Sequence, residues 1–177
     1  MTDQERVAAL RGAIRDVPDY PKPGILFKDI TPLLADGAHL REALGALQDR
    51  AASLRPDRIV AIESRGFILG AALADRMGIG FVPVRKKGKL PWRRVECSYD
   101  LEYGTDTVEM HEDGLVKGQR ALVVDDVIAT GGTAAAAGVL VRRLGAELAG
   151  YLFLIELSFL NGRARLGSDE IRSVVVY

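Results

Sequence analysis

Arg120-Ala121-Leu122-Val123-Val124-Asp125-Asp126-Val127-Ile128-Ala129-Thr130-Gly131-Gly132-Thr133 is the stretch from which the chain can be read. The apolar run at 121–124 suits a parallel strand buried on both faces. Two carboxylates end it, a loop of small residues follows, and residues 134–144 are helix-prone. Gly131 and Gly132 can take positive φ and let a ligand approach the main chain closely. Successive amides there, with the N-terminus of the following helix, form a cradle for an anion such as phosphate. In open α/β sheets ligands lie at the carboxyl ends of strands, where this loop falls.

The acids narrow the kind of ligand. No lysine occupies the loop, and its spacing is not that of a nucleotide P-loop. Asp125 and Asp126 would repel an anion unless they address a neutral or cationic part of the same molecule. A ribose 5-phosphate meets both demands, its 2′- and 3′-hydroxyls donating to the carboxylates while the loop takes the 5-phosphate. The bare pattern also fits an aspartate pair capping the next helix, and strand, glycine loop and helix recur in unrelated sites.

Composition sets the frame. A chain of 177 residues, 48% hydrophobic and 27% charged, reads as one globular domain with a substantial core. Lys+Arg and Asp+Glu both number 24, so no global field points to a nucleic-acid or membrane partner. Cys97 is alone and fits a reducing cytoplasm. The polar N-terminus is unlike a signal peptide, and no apolar run approaches membrane-spanning length. Two scattered histidines and one cysteine do not make a metal site.

Working outward, residues 3–15 read as an amphipathic helix presenting Val7, Leu10 and Ile14. Pro18, Pro21, Pro23 and Gly24 enforce an extended segment into 25–32, whose default reading is a connector. A helix over about 39–54 carries Leu40, Leu44, Leu47 and Ala51. Residues 58–62 form a second buried-strand candidate, followed by Glu63-Ser64-Arg65-Gly66 and a helix over 67–77, so the strand–turn–helix device occurs twice. This turn offers amides, a hydroxyl and a guanidinium to another anionic group; a capping Ser64 and a surface Arg65 are the alternative. A third strand, 81–84, ends in Arg85-Lys86-Lys87-Gly88-Lys89, a run that alone marks a solvated loop. Together the three strand ends can surround a ligand bearing two phosphate groups. Residues 90–107 lack a clear period and read as a lid loop. Residues 107–111 alternate like a half-exposed strand, which puts Glu109 and His111 at the surface. A strand at 151–155, a turn at 161–163 and a terminal strand at 174–177 complete a mainly parallel α/β sheet flanked by helices.

The string at 123–133 resembles the 5-phosphoribosyl 1-diphosphate (PRPP) signature of the type I phosphoribosyltransferases. Residues 23–30, 63–67, 85–91 and 98–104 resemble the adenine-using branch of that family. The resemblance implies one phosphoribosyltransferase domain over 1–177, with an N-terminal helix and base-binding hood at about 1–35 and a flexible lid at about 90–107. It implies purine salvage, in which adenine and PRPP become AMP and diphosphate. Asp125 and Asp126 then hold the ribose diol, and Ala129, Thr130, Gly131, Gly132 and Thr133 the 5-phosphate. Ser64 and Arg65 match a diphosphate loop whose peptide bond is often cis, and Arg85 and Lys89 match cations at the same group. Leu26, Phe27, Lys28 and Val127 fall at the adenine, with Phe27 and Val127 on its two faces. Glu102 and Tyr103 take the catalytic positions, Glu102 as proton handler. Mg2+ is held mainly by PRPP and water, with no direct protein ligand. The resemblance further implies a cytoplasmic homodimer, Arg85 reaching toward the partner subunit, and no nucleic-acid or membrane partner. One departure is Trp92-Arg93-Arg94, bulkier and more basic than the family's usual residues there. Two rival readings share the PRPP site: a xanthine or hypoxanthine-guanine phosphoribosyltransferase, and a PRPP-sensing regulator without turnover, which requires an added nucleic-acid-binding feature.

Overall fold

The structure is a computed structural model and describes residues 2–100 and 104–177. Along the chain run α1 (Asp3–Ala13), β1 (Arg15–Val17), β2 (Phe27–Asp29), α2 (Thr31–Ala35), α3 (Gly37–Ala52), β3 (Arg58–Ile62), α4 (Arg65–Met77) and β4 (Gly80–Lys86). Then come β5 (Arg94–Asp100), β6 (Thr105–His111), β7 (Arg120–Ile128), α5 (Gly132–Arg143), β8 (Glu147–Glu156) and β9 (Ile171–Val176), with two short 3-10 turns between the last strands. The chain divides into two compact units, Met1–Ala46 and Leu47–Tyr177.

In the first unit, α1 starts at a reciprocal cap. Thr2 Oγ1 accepts from the Glu5 amide at 3.2 Å, and the Glu5 carboxylate accepts from the Thr2 amide at 2.7 Å. Leu10 and Ile14 are buried, while Val7 is half-buried. The segment at 25–32 is more than a connector. Residues Phe27–Asp29 pair antiparallel with Arg15–Val17, and α2 begins at Thr31-Pro32. Proline fits the first helical turn because the N–H it lacks has no intrahelical partner there.

The second unit is built on a seven-stranded sheet in the order β5-β6-β4-β3-β7-β8-β9. The five strands from β4 to β9 are parallel, with Val60 opposite both Val82 and Val123. Strand alternation sends neighbouring residues to opposite faces. Val60 and Ile62 join α5 residues such as Ala137, Leu140 and Val141 in one core cluster. On the other face α4 packs so close that a Cβ on Gly70 would lie 2.5 Å from that of Ala61. Burial on both faces explains the unbroken apolar runs of β3 and β7.

The sheet's antiparallel edge corrects three expectations. Much of the expected irregular loop at 90–107 is strand, because β5 pairs with β6 from Arg94 opposite His111 to Asp100 opposite Thr105. Glu109 is fully buried, not solvated. Its Oε1 accepts from the Lys89 amide at 2.9 Å and the Leu90 amide at 2.8 Å, and Arg94 Nε lies 2.8 Å from Oε2. Burial alone raises its carboxyl; the Leu90, Gly88 and Lys89 amides and the Arg94 charge outweigh that and hold it below the usual range. His111, also expected at the surface, is half-buried with a shielded Nε2.

Candidate active site

A cleft of about 220 Å³ opens at the carboxyl ends of β3, β4 and β7. Both expected turns line it: Ser64 and Arg65 from one, Asp125, Asp126, Val127 and residues 129–133 from the other. Glu63 and Lys86, which were given no individual role in the sequence reading, line it as well.

The loop after β7 is shaped by close main-chain packing. Gly131 has φ 80° and stands at the N-cap of α5 without any side-chain cap. The aspartates therefore do not cap this helix, and that alternative falls. A Cβ on Gly131 would lie 2.3 Å from the carbonyl oxygen of Gly162, and one on Gly162 would lie 2.3 Å from that of Ala129. The loop thus rests on the turn at 161–162, a support whose sequence signal was only Asn161-Gly162.

The two acids differ in surroundings. Asp126 is buried, and its Oδ2 accepts from Arg65 Nε at 2.5 Å. Asp125 is half-buried and its Oδ1 accepts from the Asp126 amide at 2.9 Å. Desolvation, then the adjacent Asp126 charge, pushes the Asp125 carboxyl well above the usual range. A Cβ on Gly66 would lie 2.6 Å from Asp125 Oδ1, so glycine at the start of α4 admits this carboxylate.

The turn after β3 is a hub of charge. The Glu63-Ser64 peptide is cis, and Ser64 makes no side-chain capping bond. Glu63 accepts from Arg85 Nε at 2.8 Å and from Lys89 Nζ at 3.0 Å. Arg85 and Lys89 are thus tied to the cleft through Glu63. Lys86 Nζ donates to Asp106 at 2.5 Å and to the Tyr99 hydroxyl at 2.8 Å, and Thr133 Oγ1 lies 3.0 Å from the same phenol. Asp106 and Tyr99 were missed because their partners are remote in sequence.

Leu26, Phe27 and Lys28, expected from the sequence at the base, belong to the first unit. Leu26 is exposed, Phe27 meets Tyr20 edge-on with centroids 5.2 Å apart, and Lys28 Nζ pairs with Asp16 at 2.6 Å. Glu102 and Tyr103 lie outside the described residues.

Comparison with known proteins agrees with this geometry. Residues 29–174 match the Phosphoribosyl transferase domain family. The adenine phosphoribosyltransferase of Anaeromyxobacter dehalogenans is 54% identical over 169 residues, covering 96% of this chain and 98% of that protein. The crystal structure of the adenine phosphoribosyltransferase from Thermoanaerobacter pseudethanolicus superposes with a TM-score of 0.95 at 46% identity, covering 97% of this chain and 99% of that one. The Saccharomyces cerevisiae enzyme, crystallised with an imino-altritol bisphosphate and adenine, gives 0.92 at 39% identity over 97% and 99% of the two chains. Fold, cleft and relatives converge, and the chain belongs to the phosphoribosyltransferase family, in its adenine phosphoribosyltransferase branch.

Proposed function

We propose that the protein transfers the 5-phosphoribosyl group of PRPP to adenine, forming AMP and releasing diphosphate. The observation that carries this is the pairing, in one cleft, of an uncapped glycine loop with two adjacent carboxylates of unequal environment. The loop takes the 5-phosphate, and Asp125 and Asp126 take the ribose hydroxyls. Arg65 sits where it can exchange Asp126 for an anionic oxygen, and Arg85, Lys86 and Lys89 hold positive charge on the adjoining side. Breaking the C1–O bond develops positive charge on the sugar and negative charge on departing diphosphate. The cations stabilise the second and the carboxylates the first. Adenine N9 then attacks from the opposite face, and Glu102 takes the proton that the base must lose. Residues 26–28 offer main chain and the Phe27 ring to the base.

Magnesium fits as a companion of the diphosphate. Among the described residues no three His, Cys, Asp or Glu side chains cluster as a metal site, and Asp126 is engaged by Arg65. An ion with few protein ligands keeps its waters and takes phosphate oxygens. When bound, it supplies charge neutralisation for the leaving group. A cytoplasmic homodimer is part of the proposal, and sedimentation of the active enzyme checks the dimer.

The test is AMP formation from adenine and PRPP with magnesium, with hypoxanthine, guanine and xanthine run alongside. Adenine carries an acceptor at N1 and a donor at N6, and hypoxanthine reverses both. A site built on those bonds supports discrimination on the order of 10⁴-fold. Comparable kcat/KM for adenine and hypoxanthine would overturn the assignment of the base.

A further inference from the structure

Among the described residues the phenol of Tyr99 has three polar neighbours, and their chemistry fixes the direction of each of these hydrogen bonds. Asp106 Oδ2 lies 3.1 Å away, Lys86 Nζ 2.8 Å and Thr133 Oγ1 3.0 Å. An ammonium only donates and an ionised carboxylate only accepts. Asp106 is held ionised: the bond from Lys86 lowers its carboxyl most, and the Thr107 amide lowers it further against some desolvation. The single Tyr99 proton therefore goes to Asp106. Lys86 and Thr133 both donate to the Tyr99 oxygen, so the one proton of Thr133 is committed to the phenol.

A phosphate oxygen in the loop needs that same proton, because it too can only accept. It also competes for Lys86, which lines the same cleft. Tyr99 stands on β5 and Asp106 on β6, so both competing groups come from the hairpin and neither from the turns that form the cleft. We propose that Tyr99, backed by Asp106, is a positioning residue that competes with a substrate oxygen for Thr133 and Lys86 and yields them when a phosphorylated ligand enters. The proposal rests on the reading of residues 129–133 as the phosphate loop. Its consequence is that binding energy at the 5-phosphate is partly spent on exchanging one hydrogen bond for another. Tyr99 thereby lowers affinity for the phosphate group.

Titration calorimetry with ribose 5-phosphate tests this on the intact enzyme. Tyr99→Phe keeps the ring but removes the competing oxygen, and it should tighten binding by roughly three- to ten-fold, the worth of one ordinary hydrogen bond. In a Thr133→Val background the gain should shrink at least by half, since the freed hydroxyl is gone and only the Lys86 share remains. A merely structural Tyr99 would leave affinity for so small a ligand unmoved. Asp106→Asn is a second variant: it removes the carboxylate that takes the Tyr99 proton and neutralises Lys86, and it should tighten binding too. Unchanged or weaker binding in Tyr99→Phe, or a gain of equal size without Thr133, overturns the proposal. If wild type binds ribose 5-phosphate and Thr133→Val weakens it, the loop reading stands whatever Tyr99 does. If wild type does not bind it, both fall together.

Discussion

The turns after β3 and β7 are the same device used twice, and they are held in place by opposite means. Each follows a parallel strand buried on both faces, and each opens a helix without a side-chain cap. The β7 loop is fixed by main chain against main chain, Gly131 on Gly162 and Gly162 on Ala129. The β3 turn is fixed by charge, with Glu63 binding Arg85 and Lys89 and with Arg65 binding Asp126. A cradle of amides depends on backbone position, whereas a set of cations depends on which carboxylates hold it. The first should therefore be sensitive to added atoms and the second to pH.

The largest expected effect follows at Gly131. Gly131→Ala removes no functional group, yet its Cβ would press on the Gly162 carbonyl from a backbone of positive φ. A displacement of about 1 Å in the loop lowers catalysis on the order of 10²-fold. Steady-state kinetics on folded Gly131→Ala and Gly162→Ala should both show it. Wild-type kcat/KM in either would break the contrast, for it would mean that main-chain packing does not set the loop.

Asp125 lies at the seam of the two devices, beside Gly66 of one and Asp126 of the other. Its carboxyl is raised, so the folded state binds a proton that the unfolded chain has already released above the ordinary carboxylate range of about 4. The shift therefore opposes folding at neutral pH, and the opposition fades as pH falls to that range. Asp125→Asn should raise stability by about 1 kcal/mol at pH 7, with the gain vanishing near pH 4. The same variant should cut turnover at least about ten-fold, having lost an acceptor for the ribose diol. Thermal melts at both pH values, run with AMP assays, check the pair; a destabilised variant at pH 7 would remove Asp125 as a strained acid.

How much of this was visible in the sequence depended on the range of the interaction. Strands β3, β7 and β8 could be read because burial on both faces leaves an apolar run that needs no knowledge of partners. The glycine loop that lines the cleft could be read because its glycines and aspartates are adjacent. Glu109 was misplaced because the amides that satisfy it come from 88–90, across the β4–β6 pairing, while its own neighbours Val108 and Met110 read as simple alternation. Gly66 and Gly162 carry no local sign of the atoms they make room for. Likewise, the third polar partner of Tyr99 arrives from α5. Local pattern reveals what a residue is next to in the chain, and this cleft is assembled from residues far apart.

The smallest effect, and the one that sharpens the contrast most, is expected at Glu63. Burial pulls its carboxyl upward, but hydrogen bonds from Lys89 and Arg85 prevail and hold it below the usual range. A depressed carboxyl contributes stability above the unfolded value and loses it as pH falls through the folded one, the reverse of Asp125. Arg85 and Lys89 are both partly exposed, which limits the pair energy through solvent screening. Glu63→Gln should therefore cost only about 0.5–1 kcal/mol at pH 7. The cost should fade as pH falls below the ordinary carboxylate range and through that depressed value, where the wild-type carboxyl itself takes up a proton. Glutamine keeps the shape and one acceptor, so the backbone of the turn stays in place, and the loss should shrink further in high salt. Melts of wild type, Glu63→Gln and Asp125→Asn over the same pH series thus give curves that diverge with opposite signs as pH rises through the carboxylate range. If Glu63→Gln and Asp125→Asn moved in the same direction, the two turns would not differ in how charge is held, and the division between a backbone-built and a charge-built turn would fail.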